Sequence, residues 1–169
     1  MKRLYLLRHA KSSWEDPQLN DLERPLNQRG RRDSPVMSAR LADYFAQHAL
    51  SVQKVLSSPA LRAQHYAKDL AKALAVSLEI NEQLYTFTYA TLCHALSQLP
   101  NTLNGVVVVA HNPAVTDFVN QFGADQIGNL PTSGWCVFRL TIDNWASLTP
   151  GPHDCVYFDY PKNNKLTTL

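Results

Sequence analysis

The stretch LYLLRHAKSSW, residues 4–14, begins with four residues of strand-like character and then turns abruptly polar at Arg8 and His9. A short, largely apolar run bounded by polar residues is typical of a strand that is buried in a sheet covered on both faces. Three similar runs, residues 54–56, 77–80 and 106–109, occur further along the chain. We therefore predict four buried strands.

Helical patterns separate these runs. Apolar residues recur at helical spacing over residues 36–49, where Ser34 is the expected N-cap and Pro35 the first helical residue. A second helix is expected over residues 59–74, with Ser58 as its cap. Strands that alternate with helices of this length favour right-handed crossovers and a mostly parallel sheet with helices on both faces.

The C-terminal third has a different pattern. Residues 135–142 and 155–160 are predicted strands, joined through a Pro/Gly loop at residues 149–152, which favours an antiparallel edge. The predicted fold class is therefore α/β, with a mostly parallel central sheet and an antiparallel edge from the C-terminal third. Because no repeat or long linker interrupts the pattern, we expect one domain over residues 1–169.

Composition excludes several functional classes. The net charge of +2 is too small to favour nucleic-acid binding. The chain lacks an apolar run long enough to cross a bilayer, and residues 1–7 are charged too early for a signal peptide, so we expect a cytoplasmic protein without a membrane partner. The three cysteines, Cys93, Cys136 and Cys155, lack the close pairs of zinc or redox sites and are expected to be reduced.

Basic residues are unevenly distributed. Nine of the sixteen Lys and Arg residues lie within residues 1–40. Such a region is either a solvated basic face or an anion-binding site near the N-terminus.

Polar side chains follow each predicted strand, at the sheet edge where open parallel sheets bind ligands. In strand order, these are Arg8, His9 and Lys11; then Ser57, Ser58 and Arg62; then Glu82; and finally His111 and Asn112. This concentration of imidazole and guanidinium groups favours a site for an anion.

Phosphoryl transfer suits this set of side chains, because it needs an in-line nucleophile and positive donors around the equatorial oxygens. Arg8 and Arg62 can clamp those oxygens with their planar forks. His9 can attack phosphorus through a neutral ring nitrogen while a hydrogen bond at its other nitrogen fixes the tautomer, and His111 can donate from the opposite side.

A metal site is the competing interpretation of the same histidines. No HxxxH or HxH spacing supports it, and arginines beside a cation would be repelled. We therefore do not expect a metal.

Several stretches resemble the histidine phosphatase superfamily, and in particular its SixA-like phosphohistidine phosphatase branch. They are LYLLRHAKSSW (4–14), with the RHG or RHA signature, DLERPLNQRGRRDSP (21–35), VLSSPALRA (55–63), VVVVAHNPAVTDFV (106–119) and LPTSGW (130–135). The resemblance implies that Arg8, His9, Arg62 and His111 form the family's phosphate pocket, with His9 as the phosphorylated nucleophile. It also implies the family's α/β sandwich and no cofactor.

The resemblance further implies a phosphatase that removes phosphate from phosphohistidine on a protein, such as a histidine phosphotransfer domain or a phosphocarrier protein, and releases inorganic phosphate. We expect a monomer with an open pocket. Glu82 is a candidate general acid, and Lys11, Ser58 and Asn112 are candidate substrate contacts.

Two other functions remain open. The chain can be a phosphatase or mutase of small phosphate esters, or a non-catalytic module that binds phosphoproteins. The loop after the first strand also has two interpretations. Lys11, Trp14, Arg24 and Arg29 can form a docking rim for an acidic partner, or the two arginines can pair with Asp21 and Glu23 in a solvated cluster.

Overall fold

A computed structural model describes residues 1–149 and 153–163. Within these residues there are six strands and four helices. In chain order they are β1 (Lys2–Arg8), α1 (Gln28–Gln47), β2 (Lys54–Ser57), α2 (Leu61–Leu74), β3 (Ser77–Ile80), α3 (Tyr89–Ser97), β4 (Gly105–Ala110), α4 (Ala114–Phe122), β5 (Trp135–Leu140) and β6 (Asp154–Asp159), with short 3-10 helices at Asp21–Glu23, Glu82–Leu84 and Trp145–Ser147. In this described part, none of the helices combines the length and hydropathy needed to span a bilayer.

The strands form one sheet in the order β3-β2-β4-β1-β5-β6. β3, β2, β4 and β1 run parallel, whereas β5 pairs antiparallel with both β1 and β6. The predicted mostly parallel sheet with an antiparallel C-terminal edge is therefore confirmed. Residues 150–152 of the predicted Pro/Gly loop lie outside the described residues.

Helices cover both faces of the sheet, as predicted. Successive side chains of β1 point to opposite faces, so Leu4 and Leu6 join one apolar cluster while Tyr5 and Leu7 join the other. α3 and α4 pack on the first face, and α1 and α2 on the second. The side chains of these four residues are fully buried, so this part of β1 lies in the interior of the molecule.

One of the four predicted strands is not buried. β3 lies at the edge of the sheet, where only β2 pairs with it, and most of its residues are exposed. The other predicted strand bounds agree with the structure to within two residues.

α1 begins at Gln28, well before the predicted start, so the assignments of Ser34 as its N-cap and Pro35 as its first residue are wrong. Asn27 is the cap, because its side chain accepts the Gly30 N–H at 2.8 Å. Pro35 lies inside the helix, and Ser34 Oγ donates instead to Asp69 Oδ2 on α2. Both Asn27 and Ser34 are good capping residues, and tertiary contacts decide between them.

The predicted cap of α2 is also wrong. The helix begins at Leu61, with Ala60 at the N-cap position and no side-chain cap. Ser58 Oγ accepts the Ala60 N–H at 3.2 Å, which stabilises the turn before the helix.

The start of α1 packs directly on the loop that follows β1. The Asn27 N–H donates to the Lys11 carbonyl at 3.0 Å. A Cβ atom added at Gly30 would lie 2.2 Å from the same Lys11 oxygen, so this contact requires glycine. The first helix thereby fixes the backbone two residues after His9.

We predict that Gly30→Ala lowers the free energy of unfolding by about 1–3 kcal/mol, since the methyl group forces the Lys11 backbone to shift. Urea unfolding followed by circular dichroism measures the change. Gly128→Ala is the matched control, because a Cβ atom there meets nothing within 4 Å. Equal stability of Gly30→Ala and the unsubstituted chain would contradict the close packing described here.

Candidate active site

The carboxyl ends of neighbouring strands bring three of the predicted pocket residues together. β1 and β4 pair in parallel register up to Arg8 and Ala110, so His9 and His111 follow them side by side. The His9 N–H donates to the Ala110 carbonyl at 3.1 Å, and the two imidazole centroids are 5.0 Å apart. Arg62, in the first turn of α2, reaches the same point, with Nη2 3.4 Å from His111 Nδ1.

The tautomer of His9 is fixed by a backbone hydrogen bond. Nδ1 lies 2.7 Å from the carbonyl oxygen of Ala10. A carbonyl oxygen can only accept, so Nδ1 carries the proton and Nε2 presents a lone pair. The residue is only 9% exposed, which limits the directions from which a ligand can reach that lone pair.

Both histidines are held in the neutral form. Burial, together with the charges of Arg62, Arg8 and Arg24, lowers the pKa of His9 from 6.5 to about 3, although the bond to the Ala10 carbonyl opposes this shift. Burial, the neighbouring His9 and the charge of Arg62 lower the pKa of His111 to about 2.

His111 is oriented by two partners. Arg62 has only donors, so His111 Nδ1 accepts from it and Nε2 carries the proton. The Nε2–H then donates to Ser58 Oγ at 2.7 Å. Ser58 is fully buried and thus positions His111 within the site.

Arg8 lies beside His9 but bonds in another direction. Its Nη1 donates to the Leu130 carbonyl at 2.9 Å and to Asn129 Oδ1 at 3.2 Å. Its Nε is buried and has no partner among the described residues. This Nε–H group is therefore not used by the described residues, and the charge of Arg8 acts on His9.

The segment before β5 fixes the backbone of the two residues at the end of β1. The Arg8 N–H donates to the Gly134 carbonyl at 3.1 Å, and the Ser133 N–H donates to the His9 carbonyl at 3.2 Å. Tyr66 Oη, fully buried on α2, donates to the Ser133 carbonyl at 2.9 Å. These bonds connect β1, α2 and β5 around His9.

Asp21 is a site residue that the sequence analysis missed. Its Oδ2 accepts from Tyr85 Oη at 2.6 Å and from Arg62 Nη2 at 2.8 Å, and its backbone oxygen accepts from Arg62 Nη1. Its Oδ1 accepts from Arg24 Nε at 3.1 Å. Burial alone would raise the pKa of Asp21, but the bonds from Tyr85 and Arg62 and the charges of Arg62 and Arg24 outweigh it and lower the pKa to about 2.

The predicted solvated cluster in this loop is only partly correct. Arg24 pairs with Asp21 as expected, but Arg24 is 7% exposed and is therefore not solvated. Arg29 pairs with Asp33 on α1, and Glu23 accepts from the Asn20 side chain. In the sequence, only the stretch DLERPL, residues 21–26, indicated that Asp21 and Arg24 belong to such a network.

Two aromatic rings border the pocket and were not predicted. The Tyr85 ring lies 5.4 Å and the Phe87 ring 5.5 Å from the His111 ring, between centroids. Phe87 is 42% exposed, so it presents an aromatic surface beside the histidine pair.

The side chains of the remaining predicted contacts make no hydrogen bond to the two histidines in the described part of the chain. Glu82 is exposed at the start of its 3-10 helix, and no contact in the described part of the chain joins its side chain to the pocket. The Asn112 amide donates to Asn129 Oδ1 at 2.7 Å, and Asn112 lines a cavity of about 350 Å³ together with Arg8. Lys11 is half-buried, and its carbonyl binds the start of α1.

Over residues 1–149 and 153–163, there is no group of three or more His, Cys, Asp or Glu side chains that could hold a metal ion.

Comparison with known proteins gives the family. The family model described as the histidine phosphatase superfamily (branch 1) matches residues 4–93, which is more than half of the chain. An uncharacterised chloroplastic protein of Arabidopsis thaliana is 36% identical over 80 residues, a match that covers 47% of this chain and only 35% of that relative.

Solved structures share the fold over most of the chain. The phosphohistidine phosphatase SixA assigned in Agrobacterium tumefaciens is 25% identical, with a TM-score of 0.72 over 83% of this chain and 92% of that one. The corresponding protein of Nakamurella multipartitia is 19% identical, with a TM-score of 0.76 over 95% of this chain and 96% of that one. A SixA protein complexed with tungstate is 22% identical, with a TM-score of 0.74 over 96% and 99% of the two chains. The chain belongs to the histidine phosphatase superfamily and has a SixA-like fold.

Proposed function

We propose that this chain is a phosphatase in which His9 accepts a phosphoryl group and then transfers it to water. The observation that carries the proposal is the bond from His9 Nδ1 to the Ala10 carbonyl, which leaves a neutral ring with the Nε2 lone pair free. A nucleophile must be unprotonated to attack, and the lowered pKa of His9 keeps it so at any ordinary working pH.

The two chemical steps follow from these side chains. In the first, the Nε2 lone pair forms a bond to phosphorus while the bond to the leaving group breaks, and the leaving atom takes the bonding pair. In the second, water attacks the phosphorus on His9, a proton passes from that water to solvent, and the P–N pair returns to Nε2 as inorganic phosphate is released. Arg8 and Arg62 supply to the phosphoryl oxygens the Nε–H groups that have no partner among the described residues, and His111 joins them when its Nε2–H exchanges Ser58 Oγ for a phosphoryl oxygen.

The leaving group of the first step is an imidazole. An alkoxide needs a general acid, but the carboxylate that is bonded to Arg62, Asp21, has a pKa of about 2 and stays ionised. Glu82, the candidate acid from the sequence, is exposed and makes no contact with the pocket residues described above. When the ring of a phosphohistidine is protonated, cleavage of its P–N bond releases a neutral imidazole, so this leaving group needs no acid from the enzyme.

The substrate we propose is therefore a phosphohistidine on another protein, such as a phosphotransfer domain or a phosphocarrier protein. The exposed Phe87 ring beside His111 offers a flat surface for an imidazole that enters from outside. The related protein of Agrobacterium tumefaciens carries the name of a phosphohistidine phosphatase, which agrees with this choice.

We predict that the purified chain removes phosphate from a phosphohistidine protein in buffer with a chelator, and that rapid quenching in alkali traps acid-labile phosphate on His9. His9→Ala abolishes both signals without loss of thermal stability, because its side chain lies at a strand end.

Three other outcomes would contradict this prediction. Rapid hydrolysis of a small phosphate ester, with phosphohistidine proteins left intact, would contradict the proposed substrate. A phosphoenzyme that returns its group to the substrate would identify a mutase, and binding without turnover would identify a phosphoprotein-binding module.

Arg62→Ala is predicted to raise the free energy of the transition state by about 2–4 kcal/mol, since it removes a preorganised charged donor. The ratio kcat/KM for the phosphohistidine protein, measured at a temperature where the variant is folded, gives this value. The matched control is Arg139→Ala, which breaks an exposed pair with Asp154 on β6 and leaves kcat/KM unchanged. Equal effects of the two substitutions would show that the role assigned to Arg62 is wrong.

The neutral state of the two histidines gives a third prediction. Because the pKa of His9 is about 3 and that of His111 about 2, neither ring takes up a proton between pH 8 and pH 5. Nitrogen-15 NMR of the imidazole rings tests this, and His9 is expected to show the Nδ1–H tautomer throughout. A titration of His9 near the ordinary value of 6.5 would argue against a permanently available nucleophile.

A further inference from the structure

Three arginine side chains in the pocket region each keep a buried N–H group without a partner among the described residues. They are Arg8 Nε, Arg24 Nη1 and Arg62 Nε. A buried donor that makes no hydrogen bond costs free energy, and more so when it is charged. Arg8 and Arg62 belong to the phosphate pocket proposed above, so the third side chain, Arg24, requires an explanation of its own.

Arg24 is held rigidly and away from water. Its guanidinium carbon lies 3.4 Å from the centre of the Trp14 ring, and its Nε donates to Asp21 Oδ1. Only 7% of the residue is exposed. In an ordinary structural ion pair each N–H group would be hydrogen-bonded or in contact with solvent. In Arg24, Nε donates to Asp21 Oδ1, whereas Nη1 is buried and has no partner among the described residues.

Asp21 connects Arg24 to the pocket. One carboxylate oxygen accepts from Arg24 and the other from Arg62, so the two guanidinium groups lie on the same carboxylate. Arg62 in turn contacts His111. The charge of Arg24 also acts on both His9 and His111, which places it within electrostatic reach of the reacting ring.

The charge of the pocket supports the same conclusion. Arg8 and Arg62 carry two positive charges, but the ionised Asp21 cancels one of them, and both histidines are neutral. A phosphoryl group carries close to two negative charges at neutral pH. With Arg24 included, the pocket has two net positive charges and matches that group.

We propose that Arg24 is the third arginine of the phosphate site, oriented by Asp21 and Trp14 so that its free Nη1 donates to an oxygen of the bound phosphate. This assignment rests on the proposed function only in that the pocket binds phosphate. Arg24 therefore belongs to the binding machinery, and Asp21 is a positioning residue that holds two arginines at a fixed separation.

Binding of inorganic phosphate to the full chain, measured by isothermal titration calorimetry, tests the assignment without any turnover. Arg24→Gln is expected to weaken phosphate binding about tenfold or more, because one charge-assisted hydrogen bond and one net charge are lost. Arg29→Gln is the matched control, since Arg29 pairs with Asp33 on α1, and its phosphate affinity is expected to stay within about twofold of the unsubstituted chain. Thermal unfolding shows whether each variant folds.

Arg24→Lys covers the case in which Arg24→Gln does not fold. Lysine keeps a cation beside Asp21 but has no second N–H group to offer the phosphate, so a phosphate affinity at least about threefold lower than that of the unsubstituted chain still supports the assignment. Phosphate affinity within twofold of the unsubstituted chain in whichever variant folds would overturn it. Unchanged phosphate binding with weaker turnover of a phosphohistidine protein would also overturn it, because Arg24 would then contact the protein partner.

The same data separate this assignment from the proposed catalysis. If the chain binds phosphate through Arg24 but does not hydrolyse phosphohistidine, the third arginine stands and the proposed function fails. If hydrolysis depends on His9 but phosphate binding is indifferent to Arg24, the reverse holds.

Discussion

The hydrogen bond between His9 Nδ1 and the Ala10 carbonyl is the constraint on which the site depends, because it determines which ring nitrogen is free. It can form only if the backbone after β1 keeps one conformation. The β4 carbonyl at Ala110, the Ser133–Gly134 segment and the start of α1 at Gly30 all hold that backbone in place. The packing of the sheet and the chemistry of a single imidazole are therefore parts of one arrangement.

Burial and positive charge act together on the histidines. Water is largely excluded from His9 and His111, and nearby arginines disfavour a further positive charge, so both rings stay neutral. The same arginines attract an anion. Asp21 moderates this field, since a carboxylate with a pKa of about 2 keeps its charge and separates Arg24 from Arg62. The site thus combines a neutral nucleophile with a cationic surround.

Much of this arrangement was predictable from sequence. Parallel strands end at one edge of a sheet, so residues that follow β1 and β4 had to be neighbours, and this placed His9 beside His111. Asp21 could not be found in this way, because its partners Arg62 and Tyr85 lie 41 and 64 residues further along the chain and no strand end marks it. The start of α1 was misassigned for a related reason, since local preference does not distinguish two capping residues when a contact with α2 engages one of them.

The central claim is that the side chains of His9, Arg8, Arg62 and His111 enclose one tetrahedral anion. A crystal structure of the chain with tungstate tests this most directly. We expect the tungsten atom to lie next to His9 Nε2. Its oxygens are expected at hydrogen-bond distance, about 2.7–3.2 Å, from N–H groups of the two arginines and of His111. Tungstate bound elsewhere while this pocket stays free of it, or bound without contact to His9 Nε2, would contradict the account.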